Sequence, residues 1–371
     1  MKEYTRSLCN SCLVVDREAV RANLTAIRAS LTPGTLILPV LKRDAYGLGL
    51  REMAALTAGQ PGVGPLTVSH ISEALSLRRA GYGGGLLLLG NPLPAALAEG
   101  AAADVTFTVG RTGLLPALAA LAEERGQSVK VQLKLDTGLH RVGTAPGEEL
   151  SALLSELCSA GERIDLTGVY SHFADTASPT LCRRQFELYL RGLEQVKAAG
   201  FDPKLRHICD SAASELYPEY HLDAVRLGRR LIMDNPSSPA GNIREAAAWY
   251  SCVTDVRRRS AGDALGYGGA YVLPADAEIA IVGVGYGDGL PLSWAERRAP
   301  VVIAGQRRPI LCCCMDQCFV DVTGLGCVPG EEVMLFGPGY PSQEAALLCG
   351  ENEGCGITSA LTDRVERIYI G

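Results

Sequence analysis

The sequence alternates short apolar segments with segments of helical periodicity over roughly its first 235 residues, and this alternation limits the possible fold more than any other feature. Apolar runs such as Leu36–Leu41 and Leu86–Leu89 predict strands, whereas Arg17–Leu31 repeats its apolar residues at helical spacing. The run Leu36–Leu41 lacks polar alternation, which is typical of a parallel strand that is buried on both faces. We therefore predict a (β/α)8 TIM-type barrel, with a doubly wound sheet as the alternative.

The predicted strands of this half share short length and apolar or β-branched residues. They are Cys12–Val15, Leu36–Leu41, Leu66–Ser69, Leu86–Leu89, Val105–Val109, Val129–Leu135, Leu166–Ser171 and two more near His207 and Ala224. The pattern changes after a stretch rich in proline and serine, Asn235–Gly241, which is typical of a linker. We predict a barrel domain over residues 1–240 and a β-rich carboxy-terminal domain over residues 241–371.

The predicted elements of the second half are short strands between glycine and proline turns. The strands are Ala247–Arg257, Tyr271–Leu273, Glu278–Gly283, Val301–Ile303, Cys318–Val322, Glu332–Phe336 and Arg367–Ile370, with a helix around Ser359–Asp363 before the last of them.

Charge and composition narrow the class of protein. The chain has 35 basic and 41 acidic residues and a net charge of -6, which argues against a nucleic-acid partner or an anionic membrane surface. No apolar run reaches the roughly 20 residues of a membrane span, and the amino terminus lacks the apolar stretch of a signal peptide. We expect a cytoplasmic protein. Its 13 cysteines are then expected to be reduced thiols rather than a disulfide framework, and we predict no metal site.

One lysine stands where the predicted strand Leu36–Leu41 ends. Lys42 is followed by a polar turn that contains glycine, at the end of a strand where parallel α/β folds keep their active sites. Burial there would lower the pKa of the amine and make it a nucleophile, a Schiff-base former or a base. A strand-end lysine whose amine reaches water is the plainer interpretation of Lys42 taken alone.

Three further polar clusters follow predicted strands of the same half. They are Lys134–Gly143, Tyr170–Asp175, and His207–Ser211 with the neighbouring Val225–Arg229. A serine at a helix start and a glycine amide on the next loop are ordinary parts of a phosphate-binding site. Together with Lys42, the clusters suggest a cofactor that carries a phosphate and an aldehyde, which describes pyridoxal phosphate.

Through these residues the chain resembles the alanine racemase family, from Cys12 to Ile370. The string Val40–Gly49 is similar to the family motif Val-Val-Lys-Ala-Asx-Ala-Tyr-Gly-His-Gly, and Lys134–Gly138 and Cys314–Gln317 match two further motifs. The resemblance implies an isomerase that interconverts L- and D-alanine and supplies D-amino acid for peptidoglycan.

The resemblance also implies how the cofactor is held. Lys42 corresponds to the lysine that carries pyridoxal 5'-phosphate and acts as one catalytic base, and Tyr46 corresponds to a tyrosine that contacts the phosphate. Ser211 and Gly228 match further phosphate ligands, and Arg229 stands at a position whose amide contributes to the phosphate site.

Four more barrel residues receive roles by the same resemblance. Lys134 matches a lysine that is carbamylated in some members and orients Arg141 towards the substrate carboxylate. His172 and Arg226 match a hydrogen-bonded pair whose arginine contacts the pyridine nitrogen.

In the second half, Tyr267 matches the second catalytic base and Tyr286 a tyrosine of the substrate site. Met315 and Asp316 match the Cys-Met-Asp-Gln segment. In the family these four residues come from the partner subunit, so the resemblance implies a homodimer with shared active sites and a small amino acid as substrate.

The chain departs from the family pattern at several positions. Leu48 replaces the motif histidine, Asp210 replaces a common asparagine, and Arg229 replaces a small or apolar residue. The segment 309–317 lacks the Gly-Arg that commonly precedes Cys-Met-Asp-Gln. A catalytically inactive homologue is therefore one alternative.

Substrate size is a second open point. Residues 356–364 resemble the corresponding segment of the serine racemase branch, and Ser359 falls on the position that helps to set substrate size. A small residue there leaves room for the hydroxymethyl group of serine. Because a site discriminates between substrates of such similar size by only about 1 to 3 kcal/mol, serine or mixed serine and alanine racemisation is an alternative. The motifs at Lys134–Gly138 and Cys314–Gln317 argue against a barrel decarboxylase, which is another alternative. A small cofactor-binding barrel protein is a further one, but it would lack the carboxy-terminal domain.

Overall fold

The computed structural model describes residues 10–233 and 242–371. The predicted linker Asn235–Gly241, and with it the predicted domain boundary, lies outside the described residues. The described chain forms two compact units, one of residues 23–45, 50–233 and 242–243, and the other of residues 10–22, 46–49 and 244–371.

The first unit contains a sheet of eight parallel strands in the order β2-β9-β8-β7-β6-β5-β4-β3. The strands are β2 (Leu36–Pro39), β3 (Leu66–Val68), β4 (Leu86–Leu88), β5 (Val105–Val109), β6 (Val129–Lys134), β7 (Ile164–Tyr170), β8 (Leu205–His207) and β9 (Ala224–Leu227). Parallel bridges from Ile37 to Val63 and from Val40 to Thr67 join β2 to the region of β3, so the sheet is a nearly closed barrel. This confirms the predicted (β/α)8 fold.

Helices separate the barrel strands along the chain, as parallel neighbours require. They are α1 (Arg17–Ser30), α3 (Leu50–Thr57), α4 (Ile71–Arg79), α5 (Leu97–Ala102), α6 (Leu114–Arg125), α7 (Glu148–Ala160), α8 (Pro179–Ala198) and α9 (Ala213–Leu216). A single left-handed turn, α2 (Lys42–Tyr46), follows β2.

The second unit is built on another sheet of eight strands, in the order β13-β16-β15-β14-β17-β10-β1-β18. The strands are β1 (Ser11–Asp16), β10 (Ala247–Arg259), β13 (Ala277–Val282), β14 (Pro300–Ile303), β15 (Gln306–Cys313), β16 (Cys318–Asp321), β17 (Glu332–Phe336) and β18 (Glu366–Ile370), and a separate hairpin is formed by β11 (Ala264–Leu265) and β12 (Tyr271–Val272). The carboxy-terminal part is therefore β-rich, as predicted.

The first predicted strand belongs to this second sheet. We counted Cys12–Val15 among the strands that alternate with helices in the barrel half, but β1 pairs antiparallel with β10 and parallel with β18. The Trp249 indole nitrogen also donates a hydrogen bond of 2.7 Å to the Ser11 hydroxyl. Residues at the two ends of the chain are thus joined by long-range pairing that an apolar pattern does not reveal.

Three helices complete the second unit: α10 (Leu292–Glu296), α11 (Ser342–Cys349) and α12 (Gly354–Ala360). The prediction of a helix around Ser359–Asp363 was wrong in its bounds, because α12 begins earlier and ends at Ala360. Strands β11 and β15 and the helices α10 and α11 were not predicted. In the part of the chain that the structure describes, no helix combines the length and the apolar character needed to cross a bilayer.

Candidate active site

Lys42 follows β2 after Val40 and Leu41, at the start of a strained turn. Arg43, Asp44 and Ala45 have φ angles of 54°, 55° and 53°, and Tyr46 has a φ of 58°. Each L-residue in this left-handed region costs about 1 to 2 kcal/mol, so four in succession persist only where tertiary contacts hold them. The turn therefore places Lys42 by means of contacts made elsewhere in the fold.

One of those contacts comes from Glu73 on α4. One of its carboxylate oxygens accepts a hydrogen bond of 2.7 Å from the Arg43 amide. The other accepts from the amides of Ser69 and His70, at 2.9 Å and 3.1 Å. A single carboxylate thus joins the start of α4 to the residue after Lys42.

Asp44 holds the other end of the same turn. Its carboxylate accepts a hydrogen bond of 2.7 Å from the Leu50 amide at the start of α3. The Ala45 amide donates to the Leu41 carbonyl at 2.9 Å. Both bonds restrain the backbone on either side of Tyr46, which is partly buried.

Lys134 ends β6 and is almost fully buried, with 4% of its surface exposed. Burial lowers the pKa of its amine to about 7, and the positive charges of Arg226 and Arg141 add to this effect. The amine lies 5.0 Å from the centre of the Tyr170 ring. Arg141 itself is exposed. Near neutral pH a large fraction of Lys134 is therefore an uncharged amine.

This lowered pKa predicts a pH-dependent contribution to stability. Between about pH 7 and pH 10.5 the unfolded chain binds a proton on Lys134 that the folded chain has released. The unfolding free energy should therefore rise with pH in this window, by up to about 1.4 kcal/mol per pH unit relative to a Lys134→Met variant. Urea titrations of both proteins in buffers free of carbon dioxide measure this difference, and a difference independent of pH would contradict the burial of Lys134.

Arg226 on β9 is buried and hydrogen-bonded to backbone carbonyls and imidazoles. Its guanidinium donates to the carbonyls of Ser171 and Ile208, at 2.7 Å and 2.9 Å. It also contacts Nδ1 of His172 at 3.0 Å and Nδ1 of His207. Because a guanidinium can only donate, both ring nitrogens that face it must be acceptors.

Both histidines are therefore neutral. Burial lowers the pKa of His207 well below its usual value, and Arg226 lowers it further. Its Nε2 lies 2.8 Å from the Gln132 side-chain oxygen, which accepts a hydrogen bond from the remaining ring N–H. The pKa of His172 is also well below its usual value, first because of burial and then because of Arg226. Of these three side chains, Arg226 is thus the one that carries a positive charge.

Tyr170 packs against His207 and the Arg226 guanidinium. Its ring stacks on His207 with centroids 4.9 Å apart and an interplanar angle of 8°. Its hydroxyl lies 2.7 Å from the Thr108 hydroxyl, which donates in turn to the Leu88 carbonyl. Burial raises the pKa of Tyr170 to about 12, so the hydroxyl remains a donor.

Backbone amides converge on Ser211 at the ends of β8 and β9. The Ser211 hydroxyl lies 3.4 Å from the amides of both Gly228 and Arg230. Arg229 stands between these two residues, with its side chain partly buried. A serine hydroxyl and backbone amides at the ends of parallel strands are groups that can bind a phosphate or another anion.

The Ser211 hydroxyl and the Gly228 amide lie beside the strand that leads to Lys42. The residue before Gly228, Leu227, pairs with Pro39 of β2, and its carbonyl accepts a hydrogen bond of 2.8 Å from the Val40 amide. The structure therefore brings the predicted phosphate ligands Ser211 and Gly228 together at the same end of the barrel as Lys42.

The remaining predicted residues lie on the surface of the second unit. The exposed fraction is 83% for Tyr267, 60% for Met315 and 41% for Tyr286. Asp316 is exposed as well, and Ser359 on α12 is partly buried. Large apolar groups at such exposure are typical of surfaces that meet another molecule.

Two of these residues are joined through the backbone. The Tyr286 amide donates to the Cys314 carbonyl at 3.1 Å, and the Gly287 amide donates to the Met315 carbonyl at 2.7 Å. A side chain at Gly285 would collide with both carbonyls, so this close approach requires glycine. The turn that carries Tyr286 and the hairpin that carries Met315 therefore form one surface.

The sequence pattern indicates no role for Gln132 or Glu73, and it places His207 only within a polar cluster. A signal for Gln132 exists, because it lies two residues before Lys134 on the same strand and shares its face. No comparable signal exists for Glu73, because its bond to Arg43 spans 30 residues. Among the described residues no group of three or more His, Cys, Asp or Glu could hold a metal ion.

Comparison with known proteins agrees with this geometry. Residues 15–236 match the model of the alanine racemase N-terminal domain, and residues 246–369 match that of the C-terminal domain. The alanine racemase of Desulforamulus reducens is 34% identical over 365 residues, covering 96% of this chain and 98% of that protein. The alanine racemase of Thermobifida fusca is 32% identical over 369 residues and covers 96% and 97%.

Solved structures agree as well. The crystal structure of alanine racemase from Streptomyces lavendulae, which produces D-cycloserine, superposes with a TM-score of 0.92 at 30% identity, covering 99% of this chain and 98% of that one.

Proposed function

The chain belongs to the alanine racemase family and is an isomerase of that class, and we propose that it interconverts L- and D-alanine with pyridoxal 5'-phosphate held on Lys42. The observation that supports the cofactor assignment is the hydrogen-bonded pair of the Ser211 hydroxyl and the Gly228 amide beside β2, the strand that leads to Lys42. These groups fit the phosphate and the aldehyde of the cofactor. Bound there, pyridoxal phosphate supplies an electron sink that acidifies the α-hydrogen of an amino acid.

Racemisation requires two proton-transfer groups, because the α-proton is removed from one face and delivered to the other. We assign these roles to the Lys42 amine and the Tyr267 hydroxyl. The exposure of Tyr267 supports its contribution to a neighbouring molecule, since at 83% exposure its ring is almost fully accessible on a single chain. We propose a homodimer in which Tyr267, Tyr286, Met315 and Asp316 of one subunit complete the site of the other.

Arg226 is proposed to contact the pyridine nitrogen of the cofactor. A guanidinium keeps its protons at physiological pH, so it can donate a hydrogen bond to that nitrogen but cannot protonate it. The two neutral imidazoles of His172 and His207 support this role, because they stabilise the donor without sharing its charge. With Arg226 as its hydrogen-bond donor, the bound cofactor would be a weaker electron sink than one with a protonated pyridine nitrogen, which would suppress transamination.

Lys134 and Arg141 are proposed to bind the substrate carboxylate. The neutral amine of Lys134 supports carbamylation, because only an uncharged amine adds carbon dioxide. A carbamate on Lys134 would be the negative group that orients Arg141. An intact-mass measurement that shows one added carbon dioxide would identify it.

Serine is the second candidate substrate. The segment that carries Ser359 resembles the serine racemase branch, and a small side chain there leaves room for a hydroxymethyl group. A hydrophobic site rejects one small added group by only about 1 to 3 kcal/mol. We therefore expect both amino acids to be racemised, with kcat/KM for alanine exceeding that for serine by less than about two-hundredfold.

The test is to incubate the purified protein with L-alanine and with L-serine separately and to measure each D-enantiomer by chiral chromatography. A higher kcat/KM for serine would reverse the assignment of the main substrate. Formation of neither D-enantiomer would identify a catalytically inactive homologue. With alanine as the main substrate, the product is the D-alanine that peptidoglycan synthesis consumes.

A further inference from the structure

Three segments of the second unit carry the substrate-contacting residues proposed above. They are the turn at Tyr286–Asp288, the hairpin between β15 and β16 with Met315 and Asp316, and the segment 359–364, which starts at Ser359. We propose that Asp288 is a positioning residue that holds these three segments in one arrangement and thereby sets substrate affinity. This inference rests on the proposed function, and it assigns a role to a residue that touches no reacting atom.

Asp288 is buried, and each of its oxygens has a partner. One carboxylate oxygen accepts a hydrogen bond of 2.8 Å from the Gly285 amide, which closes the turn that presents Tyr286. The other accepts from the Arg364 guanidinium at 2.7 Å. Its backbone carbonyl accepts from the Thr362 amide at 3.1 Å. Asp288 therefore connects the turn with the segment 359–364 by both its side chain and its backbone.

Close backbone contacts hold the turn at Asp288 against the segment 359–364 and the hairpin. The Thr362 hydroxyl donates to the Gly287 carbonyl at 3.0 Å. A side chain at Gly289 would collide with the Ala360 carbonyl, so the turn and the end of α12 meet without intervening side chains. On the other side of the turn, the Gly287 amide donates to Met315 of the hairpin. A shift of the turn would therefore move Tyr286 relative to both neighbours.

Arg364, in the segment 359–364, also interacts by charge with the turn and with the hairpin. Its hydrogen bond to Asp288 raises the pKa of the guanidinium, and the Asp316 carboxylate acts in the same direction. Arg364 is thus hydrogen-bonded to the carboxylate of the turn and is also attracted by the Asp316 carboxylate of the hairpin. Its side chain is 62% exposed whereas that of Asp288 is 5% exposed, so Arg364 can be replaced with little effect on the core.

The test compares Asp288→Asn and Arg364→Gln with the wild type. The asparagine keeps an acceptor for the Gly285 amide but loses the charge that holds Arg364. We expect each variant to raise KM for alanine about tenfold while kcat stays within about threefold, because uniform binding is lost rather than proton transfer. The double variant should be no worse than Asp288→Asn alone, and Arg364→Lys should restore part of the affinity.

A matched control is Glu344→Gln, which breaks the Arg307–Glu344 ion pair of the same unit away from the turn. We expect it to leave KM unchanged. An unchanged KM in Asp288→Asn would overturn the proposal. Additive effects in the double variant, or an equal rise of KM in the control, would also overturn it.

Amide hydrogen exchange tests the same inference without turnover. In Asp288→Asn the amides of residues 285–289 and 360–364 should exchange faster than in the wild type, while the strands of the second sheet stay protected. If the wild type racemises neither alanine nor serine, the proposed function fails, and exchange alone decides on the role of Asp288. Unchanged exchange in both segments would then overturn the positioning role.

Discussion

Replacing Lys42 by alanine is expected to abolish racemisation and, in the same variant, the near-visible absorbance of the lysine-bound cofactor. The amine is both the proposed attachment point and one of the two proton-transfer groups. Its loss should reduce kcat/KM by at least about a thousandfold. Steady-state assays and an absorption spectrum of the purified holoenzyme measure the two effects together.

Lys130→Ala is a suitable control for this variant. Lys130 is paired with Asp104 at the start of β6, with 41% of its side chain exposed. We expect the control to keep both the absorbance and the activity. If Lys42→Ala retained both as well, the assignment of Lys42 would be wrong.

Replacing Tyr267 by phenylalanine should leave the cofactor absorbance intact while turnover falls about a hundredfold to ten-thousandfold. Only the hydroxyl is removed, so one face of the substrate loses its proton-transfer group. The two enantiomers have equal free energy, so kcat/KM must fall equally in both directions. Exchange of the α-hydrogen with deuterated solvent should nevertheless persist for the one enantiomer whose α-hydrogen faces Lys42.

Nuclear magnetic resonance of each enantiomer in deuterated buffer measures this asymmetry. Tyr271→Phe is the matched control, because Tyr271 lies on the same hairpin and its ring contacts Arg298 at 4.9 Å. The control should keep full turnover. Equal exchange of both enantiomers in Tyr267→Phe would remove Tyr267 from the two-base assignment.

Much of the fold could be predicted because the periodicity of a strand or helix is local. The eight barrel strands from Leu36 onwards all lie at or near segments that the sequence predicts as strands. The strand at Cys12–Val15 was identified as a strand but counted with the wrong sheet. Its partners Tyr250 and Arg367 lie more than two hundred residues away, and an apolar pattern does not say which edge a strand will join.

The candidate site was predictable to a smaller degree. Lys42 and Ser211 could be singled out because they follow predicted strands, whose carboxyl ends share one side of a parallel barrel. The left-handed turn after Lys42 could not be predicted, because arginine, aspartate and alanine avoid positive φ unless other contacts impose it. One of the contacts that hold it here, from Glu73 to Arg43, exists only once β2 and α4 are neighbours.

By itself, the sequence determined which chemical groups the protein has and in what order the strand ends present them. It placed an amine, a hydroxyl, two imidazoles and a guanidinium in the barrel half. Only the tertiary structure decided their charges and tautomers. Strands β6, β7, β8 and β9 bring Lys134, Arg226 and His207 into one buried region, where loss of water and the charge of Arg226 keep the imidazole neutral and lower the pKa of the amine. Solvent exclusion is a property of the assembled barrel, and no segment of the chain carries it alone.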